Sequence, residues 1–282
     1  MTDTGLKTLL DGGRYFEGPR WHDGRLWFVD CMERTLLSVS PSGERRQHAS
    51  FDDTPCGVGI LPDGRIVVLT MSRKHLFAFA DGQLSLYADL STVAAGTIDD
   101  MIIDGRGRAY VGDLGFAMPP PPDRGAVGRI VLVMPDGKAR VVAEGLRFPN
   151  GIAVSADHKR LVVAEMDGAC LADYDIEADG GLRFRDRFGR MNDPDGVCLD
   201  REGAVWVASF PEDAFIRVGR DGNELQRIAV PGRRALACAL GGADRKTLFC
   251  LSAATSYEEL RQRKSSSRID VVPVDIAGSG FP

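Results

Sequence analysis

Short apolar strands separated by polar turns recur along this chain, and the spacing of the turns predicts its architecture. A turn followed by an apolar, β-branched run appears six times: HDGRLWFVD, PDGRIVVLT, GRGRAYVGD, ADHKRLVVAE, REGAVWVAS and ADRKTLFCLSA. With Gly24, Gly64, Gly107, Lys159, Gly203 and Lys246 as markers, the steps are 40, 43, 52, 44 and 43 residues. The long step holds an extra segment, Phe116 to Val127. Each copy is followed by a second strand pair with its own turn, such as RIVLVMPDGKARVVA and FIRVGRDGNELQRI. Four strands per unit, with Asp-Gly or Ser-Gly hairpin turns, describe a propeller blade. Six units at this period predict an all-β, six-bladed propeller, each blade with four antiparallel strands. The last unit is short of a strand, and Leu6 to Leu10 is placed to supply it and close the ring. Helical periodicity is confined to Ser256–Lys264.

The first strand of each blade lines the central channel, so residues at the heads of these strands converge however far apart they lie in sequence. The six heads are Glu17, Cys56, Asp99-Asp100, Asn150, Asp195 and Leu236. Three share a pattern of an oxygen-bearing side chain, a following Gly and a nearby Pro: Glu17-Gly18-Pro19, Pro149-Asn150-Gly151 and Pro194-Asp195-Gly196. Any one of them alone reads as ordinary turn chemistry. At one repeat position they read as ligands, because carboxylates crowded at a channel mouth repel one another and a divalent cation relieves the repulsion. All-oxygen ligation by Glu17, Asn150 and Asp195, with Asp99 direct or through water, suits a hard ion. No cysteine or histidine is expected to cluster with them, which argues against a structural zinc site.

The chain has 282 residues, 44% hydrophobic and 27% charged, with a net charge of −5. That length suits one propeller domain spanning 1–282. The acidic balance and the absence of Lys/Arg runs argue against a nucleic-acid partner. No signal-peptide pattern and no membrane-length apolar run is read, so the expected location is the cytoplasm, without a membrane partner, as a monomer or weak dimer. The six cysteines form no CxxC pair and read as free thiols, with Cys56 of interest because it heads a repeat. There is no GxSxG, Walker or Rossmann pattern. The acidic run Asp175 to Asp186 reads as a hairpin and not a calcium loop, since no helices flank it.

With these residues in place, the chain resembles the SMP-30/gluconolactonase family of six-bladed propeller lactonases. The resemblance rests on FEGPRWHDGRLWFVD, FPNGIAVSADHKRL, DPDGVCLDREGAVWVA and GGADRKTLF. It implies that Glu17, Asn150 and Asp195 bind one divalent metal, Ca²⁺ first, with Mg²⁺, Mn²⁺, Zn²⁺ or Fe²⁺ as others. It implies that the pair at the third head meets substrate and a metal-bound water; here the pair is Asp99-Asp100, an acid replacing the usual amide. Members that open aldonolactones carry an Arg two residues earlier, where this chain has Thr97. They also tend to carry an acid in the loop after the third blade's second strand, which here reads LGFAMPPPPDRG. The expected activity is metal-dependent hydrolysis of a lactone, either a sugar lactone or a less polar one. Asp195 or Asp99 is the general base, and Thr97, Asp100, Phe116, Met118 and Cys56 meet the substrate. An amide cannot take a proton, so Asp99 is a better base than an Asn at its place. The rival readings are a related esterase or phosphotriesterase, and a non-catalytic, calcium-binding regulatory propeller.

Overall fold

A computed structural model describes residues 5–123 and 125–279. Its twenty-four strands form six four-stranded antiparallel sheets. The first strand, β1 (Lys7–Gly13), belongs to the last blade. Blade 1 is β2 (Phe16–His22), β3 (Arg25–Asp30), β4 (Thr35–Val39) and β5 (Arg45–Ser50). Blade 2 is β6 (Pro55–Ile60), β7 (Ile66–Thr70), β8 (His75–Ala80) and β9 (Gln83–Asp89). Blade 3 is β10 (Ile98–Ile103), β11 (Ala109–Asp113), β12 (Gly128–Val133) and β13 (Ala139–Leu146). Blade 4 is β14 (Pro149–Val154), β15 (Arg160–Glu165), β16 (Cys170–Ile176) and β17 (Leu182–Phe188). Blade 5 is β18 (Pro194–Leu199), β19 (Val205–Ser209), β20 (Ala214–Val218) and β21 (Glu224–Ala229). Blade 6 is β22 (Arg234–Gly241), β23 (Thr247–Ala254), β24 (Ser266–Pro273) and then β1.

The inner strands β2, β6, β10, β14, β18 and β22 each contact the next, and β22 returns to β2. β1 pairs with β24, so the N-terminal strand closes the ring as the sequence predicts, over Lys7–Gly13 instead of Leu6 to Leu10. The expected helix is shorter too: α1 spans Tyr257–Arg261, with the Ser256 side chain capping Glu259 N. The acidic run at Asp175 is the β16–β17 hairpin.

The core lies between blades, where apolar faces of neighbouring sheets meet. One cluster joins Leu76, Met101, Val111 and Val131 of blades 2 and 3; another joins Val162, Val197, Val207 and Ile216 of blades 4 and 5. At one end of the channel residues 277–279 are tied to blades 5 and 6, with Ser279 N donating to Leu199 O, Arg201 N to Ala277 O and Gly278 N to Arg245 O.

At the opposite end, buried carboxylates at the ends of the second strands of blades 1, 3 and 4 tie down neighbouring loops. Asp30 accepts from Arg14 N, Tyr15 N, Met32 N and Glu33 N. Asp113 accepts from Ala95 N, Gly96 N and Gly115 N and pairs with Arg129. Glu165 accepts from Arg147 N and Arg187. Each satisfies backbone donors of the loops beside it.

Candidate metal centre

All six inner strands carry the same irregularity at the head. Pro149 pairs with Glu165, but the next paired residue, Ile152, meets Val163: three steps on the inner strand against two on its partner. Matching shifts lie between Glu17 and Arg20, Pro55 and Val58, Ile98 and Met101, Pro194 and Val197, and Ala235 and Ala237. An extra residue of this kind re-aims a side chain out of the regular pleat. Cys56, Asp99, Asn150, Asp195 and Leu236 fall inside this step, and Glu17, still paired with Val29, opens it in blade 1, so the six heads come to one mouth. In two blades the turn into the head is held in the left-handed region by a bulky or acidic residue, Phe148 (φ 54°) before Pro149-Asn150 and Asp193 (φ 40°) before Pro194-Asp195. Such backbone persists where the surroundings over-determine it.

The residue after each head faces the following blade at close range. A Cβ on Gly151 would stand 2.5 Å from Asp195 O and 2.7 Å from Val197 N. Only glycine lets these two inner strands approach so closely, and the approach brings Asn150 to Asp195.

The structure brings the predicted ligands together. Asn150 lies beside Asp195 and helps hold its carboxyl down, its Nδ2 also meeting Met166 Sδ at 3.9 Å, while the charges of Asp195, Asp99 and Asp100 all bear on Glu17. Glu17, Asp99, Asp100 and Asp195 are all buried. Burial, then repulsion from Asp195, pushes the Glu17 carboxyl well above its usual range. Burial, then Asp99 and Asp100, does the same to Asp195. Asp99 is raised to about 6 by burial, against a hydrogen bond from Cys56 that lowers it. None of the leading influences on these three is a cation. Such a group of unrelieved oxygen donors fits a hard divalent ion. Glu17, Asn150 and Asp195 are the residues that would hold it. Among the described residues no three His, Cys, Asp or Glu side chains are spaced to hold a metal by themselves; the expected set has two carboxylates and an amide.

The expectation that no cysteine joins the acids needs correction. The Cys56 thiol donates to Asp99 Oδ1 at 3.1 Å. Cys31, which follows β3, lies beside Cys56 and close to Glu17. The neighbouring Cys31, then burial, raises the Cys56 thiol well above its ordinary value. All six cysteines are free.

Thr97 anchors the blade 3 loop: its N donates to Phe116 O at 2.8 Å and its Oγ1 accepts from Met118 N at 3.0 Å. Phe116 packs edge-on against Phe148, ring centroids 5.7 Å apart, so the loop leans toward the Asn150 head. Met118 is 46% exposed. Across the mouth Tyr15 and Leu260 pack on Phe210, Leu236 and Ala253. Tyr257 of α1 stacks on Phe210 at 4.6 Å and donates from its hydroxyl to Asp193. Burial, then the Asp195 and Glu17 charges, raises the Tyr15 hydroxyl, which places Tyr15 beside the acids. Sequence reasoning missed this second wall, although Leu236, the apolar member among the heads, points to it.

Arg20 was also missed. It is buried and reaches from blade 1 to blade 3, where Nη2 donates to Met101 O at 2.6 Å and meets Asp100 Oδ1 at 3.3 Å. Nη1 donates to Pro19 O, Nε has no hydrogen-bond partner among the described residues, and Arg20 lines a cavity of about 30 Å³ lower in the channel. Asp100 Oδ2 accepts from Ile152 N of blade 4 at 3.1 Å. Burial raises Asp100, and Arg20 pulls it back.

The family model for the SMP-30/gluconolactonase/LRE-like region matches residues 16–254. The pentonolactonase XacC of Haloferax volcanii is 26% identical over 280 residues, covering 95% of this chain and 93% of its own. Regucalcin of Xenopus laevis is 23% identical over 274 residues, covering 93% and 92%. A gluconolactonase from Xanthomonas campestris superposes with a TM-score of 0.77 at 24% identity, over 94% of this chain and 89% of that one. A luciferin-regenerating enzyme superposes at 0.80 with 20% identity, over 97% and 96%. With its family model matched from the first bulged head to the end of β23, this chain belongs to the SMP-30/gluconolactonase/LRE-like family.

Proposed function

We propose that this chain is a divalent-metal-dependent lactonase. The observation that carries the reading is the meeting of Glu17, Asn150 and Asp195 at the bulged heads of three inner strands, with Asp99 beside them in a buried mouth. Family membership supports it, as do relatives named pentonolactonase and gluconolactonase. Ca²⁺ is the ion proposed first, since flexible all-oxygen sites suit it. An ion bound there supplies Lewis-acid polarisation of the lactone carbonyl.

The chain's residues do the remaining work. Asp99 is not among the three donors, and at about 6 its carboxyl is ionised at neutral pH yet basic enough to take a proton. It accepts the proton of the attacking water as the new C–O bond forms. The ring C–O bond then breaks, and the proton passes to the departing ring oxygen, leaving the hydroxy acid. Cys56 holds the Asp99 carboxylate through its 3.1 Å hydrogen bond. Thr97 and Phe116 form one side of the substrate space, with Met118 at its rim. Phe148, Phe210 and Tyr257 make the walls largely apolar, which favours a lactone less polar than a polyhydroxylated sugar.

The test is a proton-release assay over a panel of sugar, alkyl and aryl lactones, with and without chelator. Turnover that chelation abolishes and Ca²⁺ or Mn²⁺ restores, lost in Asp195→Ala, is the expected result. No acid release from any lactone overturns the reading in favour of a calcium-binding propeller.

A further inference from the structure

Asp100 breaks the ring's own rule. After the head residue, blades 1, 2, 4 and 5 carry Gly18, Gly57, Gly151 and Gly196, and blade 6 carries Ala237. Two residues further on the sister strands carry Gly59, Ile102, Ala153, Cys198 and Ala239, where blade 1 carries Arg20. Each set thus has a single charged member, one acid and one base, on blades that are not neighbours. They nevertheless meet, because Arg20 reaches past blade 2 to Asp100. Through Asp100 the link continues to Ile152 N, so it joins β2, β10 and β14. These are the strands whose heads are Glu17, Asp99 and Asn150. The link lies three residues below Glu17, one below Asp99 and two below Asn150.

We propose that Arg20 is a positioning residue of this centre: it locks the heads of blades 1, 3 and 4 together and holds the Asp100 carboxylate down the channel, away from the donors above it. This inference rests on the metal-site reading. With Arg20 in place the mouth presents Glu17, Asn150 and Asp195 for the ion and leaves Asp99 to the substrate. Without it, a fourth carboxylate is unpaired and buried, a condition that costs more than removing both partners.

The experiment compares Arg20→Met, Arg20→Lys, Asp100→Asn and the double variant Arg20→Met/Asp100→Asn by melting in chelator, by Mn²⁺ titration calorimetry and by lactone kinetics. Arg20→Met is expected to melt lower than wild type in chelator, and the double variant to recover most of the loss, because it removes the orphaned charge. Arg20→Met is expected to bind Mn²⁺ about threefold or more tighter, since freed negative charge is added next to the ion. Its kcat is expected to fall about tenfold or more with KM little changed, as heads out of register misplace the base. Arg20→Lys is expected to recover part of kcat. The proposal is overturned if Arg20→Met matches wild type, or if it and the double variant lose stability and Mn²⁺ affinity alike. If wild type opens no lactone, the melting and Mn²⁺ measurements still decide the role of Arg20. If Mn²⁺ does not bind to wild type either, the melting comparison decides it alone.

Discussion

The Cys56 thiol donates to Asp99 Oδ1 across 3.1 Å, joining the heads of blades 2 and 3. Burial drives the Asp99 carboxyl up to about 6, and this hydrogen bond opposes that rise. In the proposed role of base Asp99 works ionised, so activity should fall as pH drops through its titration. Cys56→Ala removes the donor and should move the acid limb of kcat/KM upward by about half a unit to one unit. Cys56→Ser retains a donor and should leave the limb nearly in place. Matching profiles for all three proteins would remove Cys56 from this role.

Asp99 and Asp195 should separate by variant chemistry. Asp99→Asn keeps the shape and an oxygen but cannot take a proton. It should lower kcat about 10²- to 10⁴-fold while calorimetry still finds bound Mn²⁺. Asp195→Ala should lose both turnover and binding. If Asp99→Asn retains full kcat, Asp195 becomes the base.

The fold was legible because each blade writes its own turn chemistry and strand pattern, and ring closure could be read from the missing strand of the last unit. Five of the six heads announced themselves as polar or reactive residues where strand text should be apolar. What the pattern does not encode is distance across the ring. Arg20 sits between Pro19 and Trp21, and its partner lies eighty residues on. The available signal was comparative: a charge at a place that its sister strands fill with Gly, Ala, Ile or Cys. Cys31 follows the strand-ending Asp30, and only the curvature of the ring carries it to Cys56. The common bulge is likewise invisible, since the extra residue appears only in pairing register. Thr97 stands where aldonolactone-opening members of the family carry Arg, and only the folded chain shows its hydroxyl holding the Met118 amide and shaping the proline loop.

Metal removal should act differently on stability at different pH. Glu17, Asp99, Asp100 and Asp195 all have carboxyls raised by folding, burial first among the causes. In chelator, therefore, the native state keeps protons that the unfolded chain has released above about pH 4. Where the native state binds more protons, stability falls as pH rises. That loss begins near the unfolded carboxyl range and continues through about 6, where Asp99 titrates, and beyond. An ion held by the ionised acids offsets it. The gap in Tm between Ca²⁺-loaded and chelated protein should therefore widen from pH 5 to pH 8. A gap that stays constant across that range would mean that these carboxylates do not hold the ion.

Asp113 tests whether the ring end depends on its anchors. Its side chain is fully buried; Oδ1 accepts from Gly96 N and Gly115 N, and Oδ2 from Ala95 N and Arg129. Asp113→Ala strands three backbone donors and a guanidinium together, so a loss of about 3–5 kcal/mol is expected. The same substitution should reach the site, because the released segments lead directly to Thr97 and Phe116. Asp30→Ala, which strands Arg14 N, Tyr15 N, Met32 N and Glu33 N in blade 1, should cost similar stability but disturb the Tyr15 wall instead. Denaturant melts of both variants, with lactone KM measured on each, separate the two effects. A stable Asp113→Ala with unchanged KM would mean that the blade 3 loop holds its shape through Thr97 alone.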